Sequence, residues 1–104
     1  MSKIYCFDID NTICKTNGLN YEDAVPIKKR IKKINQLKSE GNIIVFYTAR
    51  GFVTKIDYTD VTRKQLSKWG VKYDELYLGK PNADFYIDDK SFDYFNWFDK
   101  EEPK

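Results

Sequence analysis

The sequence predicts an α/β fold, with three layers (α/β/α) built around a mostly parallel sheet. Short apolar runs rich in β-branched and aromatic residues recur at 4–9, 42–47, 75–78 and 84–87. Amphipathic stretches at 22–41 and 59–69 separate the first three of them. Strands that are apolar throughout and alternate with helices belong to parallel sheets covered on both faces.

The first run (IYCFDI) reads as a buried strand that stops at the polar cluster Asp10-Asn11-Thr12. Residues 15–21 (KTNGLNY) are turn-rich around Asn17-Gly18, as in a small hairpin or flap. The clearest helix is 22–41. Pro26 suits its first turn, Ile27, Ile31, Ile34 and Leu37 follow the 3.6-residue period, and Gly41 supplies a stop. Its other face carries Lys28, Lys29, Arg30, Lys32, Lys33 and Lys38, a set that reads as a solvated face. The run NIIVFY is a second buried strand leading into Thr48-Ala49-Arg50-Gly51. A second helix starts with Thr59 or Asp60 as cap and ends at Trp69, turning Val61, Gln65 or Leu66, and Trp69 inward. A third strand follows at 75–78, then a turn at 79–82. A fourth at 84–87 ends abruptly in Asp88-Asp89. Ser91 would cap a last helix bearing Phe92, Phe95 and Phe98, and the charged residues from Asp99 onward form a frayed tail.

Composition narrows the function. The 104 residues are expected to form one domain, and their 41% hydrophobic content with 2 Trp, 8 Tyr and 7 Phe argues against disorder. Lys and Arg total 18 against 16 acidic residues, so no strong field of one sign marks a nucleic-acid or membrane protein. No histidine is present, which excludes imidazole bases and His-ligated metals. Cys6 and Cys14 read as buried, reduced thiols. No run approaches the ~18 apolar residues of a membrane span, and the N-terminus is not a signal peptide, so a cytoplasmic protein is expected. The aromatic run Phe92, Tyr94, Phe95, Trp97, Phe98 exceeds what one helical face can hide, so a homo-oligomer is the alternative to ordinary packing.

Three of the strands end in groups that can do chemistry. Asp8 and Asp10 close the first, Thr48 the second, and Asp88 and Asp89 the fourth. The carboxyl ends of parallel strands share one edge, the usual ligand site of such sheets. Four carboxylates with no imidazole form an all-oxygen donor set suited to Mg²⁺, which in turn recruits phosphate oxygens. Lys80 and the Thr48 hydroxyl would then contact phosphate, one carboxylate could attack phosphorus, and another could move a proton.

The segment Asp8-Ile9-Asp10-Asn11-Thr12 resembles the DxDxT signature of the haloacid dehalogenase superfamily. Thr48 matches its second motif, Lys80 its third, and Asp88-Asp89, after Phe85-Tyr86-Ile87, its acidic fourth. The resemblance runs from Ile4 to about Ser91. It implies a Rossmann-like core and the following roles. Asp8 is the nucleophile, and Asp10 the general acid and then base. Thr48 and Lys80 contact phosphate together with Asn11, Ala49 and Arg50. Mg²⁺ is held by Asp8, the Asp10 main-chain carbonyl and Asp88, with Asp89 nearby. Lys64 and Lys90 compete with Lys80 for its role. The stretches 12–48 and 48–80 are too short for a cap domain, which implies a capless phosphatase. The similarity is greatest to small phosphatases of capsule and surface-polysaccharide biosynthesis, so the expected partner is a small phosphorylated substrate such as a sugar phosphate. A polynucleotide 3′-phosphatase or nucleotidase is the alternative, with nucleic acid as partner. A phospho-accepting signalling domain is the non-enzymatic one.

Overall fold

The structure, a computed structural model, describes residues 2–90, 92–93 and 97–98. In chain order its elements are β1 (Ile4–Phe7), β2 (Cys14–Lys15), a 3₁₀ turn (Tyr21–Asp23), β3 (Val25–Pro26), α1 (Lys28–Ser39), β4 (Ile43–Tyr47), α2 (Thr59–Lys68) and β5 (Glu75–Tyr77). β1, β4 and β5 form a parallel three-stranded sheet with β4 in the middle. Phe7 lies opposite Phe46, and Phe46 opposite Leu76. The chain therefore leaves all three strands at one edge, immediately before Asp8, Thr48 and Leu78.

The helix expected from residue 22 starts at Lys28 instead. Pro26 is extended rather than helical and pairs with Cys14, while Val25 pairs with Lys15. The cause is local. Proline pushes the residue before it out of the helical region, and the Ile27 N–H is taken by the Ile13 carbonyl at 2.8 Å. The expected flap is thus a two-stranded ribbon spanning 14–26. At the other end, Gly41 has φ 96° and closes the helix, with the Asn42 N–H returning to the Leu37 carbonyl. α2 takes no side-chain cap from Thr59 or Asp60. The Asp57 carboxylate instead accepts the Thr59 N–H at 2.9 Å.

One core cluster joins Phe7, Ile9 and Ile13 to Ile31 and Ile34 of α1, Ile44 and Phe46 of β4, Leu66 of α2, and Phe98. Both helices therefore pack on the same side of the sheet. Among the described residues the other side is open, with Ile4, Tyr47 and Tyr77 exposed, so the expectation of a sheet covered on both faces is not met there. The expected last helix falls largely on residues outside those described. The strand expected at 84–87 is absent: these residues carry no strand pairing, and Phe85 and Ile87 are exposed. Their apolar character needs a sheet edge to cover it, and none is paired with them. Cys14 is buried, but Cys6 is exposed, contrary to expectation.

The basic face of α1 is not uniformly solvated. Arg30 is buried, donates to the Thr12 carbonyl at 2.9 Å and lies 5.3 Å from the Phe98 ring. Lys33 sits 4.4 Å over Trp97. No helix among the described residues is long and apolar enough to cross a membrane.

Candidate active site

Asp8 follows β1 directly. Beyond it the chain turns tightly, with the Ile9 carbonyl accepting the N–H groups of Thr12 (3.1 Å) and Ile13 (2.9 Å). Asn11 carries this turn at φ 62°, a conformation asparagine tolerates. Its Oδ1 accepts the Thr16 N–H at 3.2 Å, so the observed work of this expected phosphate contact is to shape the loop. The Asp8 carboxylate accepts the Ile9 N–H at 2.8 Å. Burial pushes the Asp8 carboxyl above the usual carboxylate range; the Ile9 N–H, Lys80 and Arg50 oppose that shift, and Asp10 adds to it.

Asp10 is held from two sides. Its Oδ1 accepts the Thr16 hydroxyl at 2.6 Å and Arg50 Nη2 at 2.8 Å, and its Oδ2 accepts Arg50 Nε at 3.0 Å. The pair is a bidentate fork. The Arg50 side chain has no exposed area, and that of Asp10 is 19% exposed. Arg50 Nη1 donates to Thr62 Oγ1 at 3.0 Å and Gln65 Oε1 at 2.6 Å. The Tyr21 ring covers the guanidinium at 4.8 Å. Arg50, expected as a phosphate contact, is instead buried with its guanidinium turned to Asp10, Thr62 and Gln65. Thr16, Tyr21, Thr62 and Gln65 complete the constellation, and none was expected at the site; the one signal was Gln65, read as a candidate for the inward side of α2, where Thr62 rather than Val61 is buried beside it.

Thr48 is buried. Its hydroxyl oxygen accepts the Arg50 N–H at 3.2 Å, leaving its single O–H free to donate elsewhere. The loop after β5 is laced to this point: the Lys80 N–H reaches the Thr48 carbonyl at 2.9 Å, and the Gly79 N–H the Arg50 carbonyl at 3.3 Å. Ala49 contributes its carbonyl to the Phe52 N–H at 2.9 Å. Gly51 makes this loop possible. At φ 87°, a Cβ on it would lie 2.7 Å from the Ile56 carbonyl oxygen. Gly51→Ala should therefore lose about 1–3 kcal/mol of stability, read by urea denaturation.

A cavity of about 630 Å³ opens beside Asp8, lined also by Thr12, Lys80 and Lys90, with aromatic walls from Tyr86, Phe92 and Trp97. The Lys80 ammonium lies 4.1 Å from the Tyr86 ring. Lys80 and Lys90 share this space with Asp8, and Lys64 does not line it. Asp88 and Asp89 are exposed. Asp88 accepts the Lys90 N–H at 3.0 Å, and this bond, with one to Asp89, holds its carboxyl below the usual range.

Among the described residues no three acidic or thiol side chains converge as a metal group. The donor set expected for Mg²⁺ from Asp8, Asp10, Asp88 and Asp89 is therefore not assembled in this arrangement. The ligand expected from Asp10 is its main-chain carbonyl, and what is missing is Asp88: the strand that would carry it to the edge is not formed, and Asp88 is exposed.

No family model and no curated protein matches the chain. Solved structures do. A crystal structure of an MCSG target protein from Vibrio cholerae superposes with a TM-score of 0.82 and 29% identity, covering 95% of this chain and 89% of that one. Two chains from structures of a Pnkp1/Rnl/Hen1 complex, one described as an RNA repair complex, share the fold. One has a TM-score of 0.59 at 19% identity over 82% of this chain, the other 0.60 at 23% over 96%. This chain spans only 27% and 32% of those two. The fold and site define an α/β protein with paired aspartates at the end of its first strand, similar in fold to components of an RNA repair assembly.

Proposed function

We propose that the chain is a phosphoric monoester hydrolase of the haloacid dehalogenase type, with a Rossmann-like, capless core. One observation carries the proposal: Asp8 stands at the end of β1, shares a cavity with Lys80, and lies close enough to the fixed Asp10–Arg50 pair to feel its charges. In this scheme an Asp8 oxygen attacks phosphorus as the bond to the leaving oxygen breaks. Lys80 offsets the phosphoryl charge. Asp10 gives a proton to the leaving oxygen and later takes one from the water that hydrolyses the aspartyl-phosphate. Asp10 Oδ1 accepts from the Thr16 hydroxyl, Arg50 Nη2 and the Cys14 thiol, whereas Oδ2 accepts only from Arg50 Nε, which leaves a lone pair on Oδ2 for that proton.

Mg²⁺ belongs to the proposal as a cation held by Asp8, the Asp10 carbonyl and Asp88, once residues 84–88 are drawn to β1. β1 pairs only with β4 among the described strands, which leaves its other edge without a strand partner there, and the cavity along β1 is also lined by Tyr86 and Lys90.

The substrate class is a small phosphorylated metabolite such as a sugar phosphate, a reading that rests on the resemblance to phosphatases of capsule and surface-polysaccharide biosynthesis. A nucleic-acid 3′-phosphate is the second reading. It is favoured by the fold shared with an RNA repair complex and by aromatic walls and two lysines beside Asp8, which suit a stacked base and its phosphates.

The test is phosphate release from sugar phosphates, nucleotides and 3′-phosphorylated oligonucleotides, with Mg²⁺ and with EDTA. Metal-dependent release supports the proposal, and the preferred substrate chooses between the two readings. A lasting phospho-aspartate without turnover would instead identify a phospho-accepting domain. Lys80→Ala should cost about 2–4 kcal/mol of transition-state stabilisation, roughly a 30- to 1,000-fold fall in kcat/KM. A near-normal rate would transfer the role to Lys90.

A further inference from the structure

Arg50 lies at the meeting point of three parts of the chain that are far apart in sequence. Its Nε and Nη2 hold Asp10 in the loop after β1, and its Nη1 holds Thr62 and Gln65 on α2. Gln65 passes the connection on: its Nε2 donates to the Tyr21 carbonyl at 2.5 Å. Tyr21 starts the 3₁₀ turn inside the 14–26 ribbon. Its ring covers the guanidinium and meets the Tyr58 ring edge-on at 4.8 Å between centroids. Four of the five guanidinium N–H groups thus have protein acceptors, and the side chain has no exposed area. The fifth, on Nη2, has no acceptor among these contacts, and with no exposed area on the side chain it does not face solvent.

We infer that Arg50 is a positioning residue: it fixes the Asp10 carboxylate in one orientation and, through Gln65 and Tyr21, fastens the 14–26 ribbon to α2 beside the strand ends. The Asp10 half rests on the phosphatase proposal above; the ribbon half does not. A guanidinium does this where an ammonium cannot, because only the planar fork satisfies both carboxylate oxygens while a third nitrogen reaches α2.

Arg50→Lys keeps the charge and removes the fork. Its kcat should fall about 10²-fold with KM nearly unchanged, since a residue acting through Asp10 alters its placement and not substrate binding. Amide hydrogen exchange at Thr16 and Ala24 in the ribbon should quicken, while β4 amides keep their protection. The double variant Thr62→Val, Gln65→Met leaves the Asp10 ion pair intact. It should give a smaller fall in kcat and the same faster ribbon exchange, which covers failure of the lysine variant to fold. A loss carried by KM would overturn the inference and make Arg50 a ligand contact. Unchanged kcat would overturn the Asp10 half, and unchanged ribbon exchange the other. If the wild-type protein releases no phosphate from any substrate, the phosphatase proposal fails, while the exchange measurement still decides the ribbon half.

Discussion

Asp8→Asn should abolish phosphate release and, at neutral pH, raise the thermal midpoint. In the proposed mechanism the first effect is the loss of the attacking oxygen. Removing a nucleophile costs on the order of 10⁴- to 10⁶-fold in kcat. The second follows from where the carboxylate sits. Burial holds its native pKa above the ordinary carboxylate value, so the folded protein pays to keep Asp8 ionised. That cost is present above the native pKa and fades as pH falls through it, because the wild-type side chain then becomes neutral too. The gain in midpoint should therefore be largest near pH 7 and shrink under acid conditions. Thermal melts of both proteins from pH 3 to 8 read this directly. A variant that is inactive and less stable at every pH would point to a structural Asp8 instead.

Asp10→Asn should be the most damaging single change to the fold among the site residues. It leaves the Arg50 guanidinium, which has no exposed area, without its counter-charge. Breaking one partner of a buried ion pair typically costs about 3–5 kcal/mol, because the remaining charge stays desolvated. The amide also places an N–H₂ where Arg50 or the Thr16 hydroxyl now donates. Urea denaturation measures the loss. Pairing the change with Arg50→Met should recover part of it, since no lone charge is then left buried. An equal or greater loss in the double variant would show that Arg50 stabilises the core chiefly through Thr62, Gln65 and Tyr21.

Both results turn on a feature that local pattern could not show. Asp10 and Arg50 were each legible as site residues, because one follows an apolar strand in an Asp-x-Asp pair and the other follows Thr48. Their partnership was not, because it depends on β1 and β4 lying side by side in register. The same is true of Thr62 and Gln65. On a helix they read as two polar residues near the buried stripe, and only the packing of α2 beside the 48–51 loop makes them ligands of Arg50.

The chain's own pattern determined the three parallel strands, the two helices and the gathering of Asp8, Asp10, Thr48 and Lys80 near one sheet edge. Apolar runs, 3.6-residue periodicity and glycine stops are local properties, and parallel topology then leaves little choice about where strand ends meet. Tertiary structure decided the rest. Pro26 lies in a strand rather than a helix because the Ile13 carbonyl and Cys14 were available to pair with that segment. Residues 84–87 have strand composition but form no strand, since pairing needs a partner edge as well as suitable residues. Arg50 is buried because a guanidinium with four satisfied N–H groups and a carboxylate partner can leave water, which no reading of its neighbours in sequence reveals.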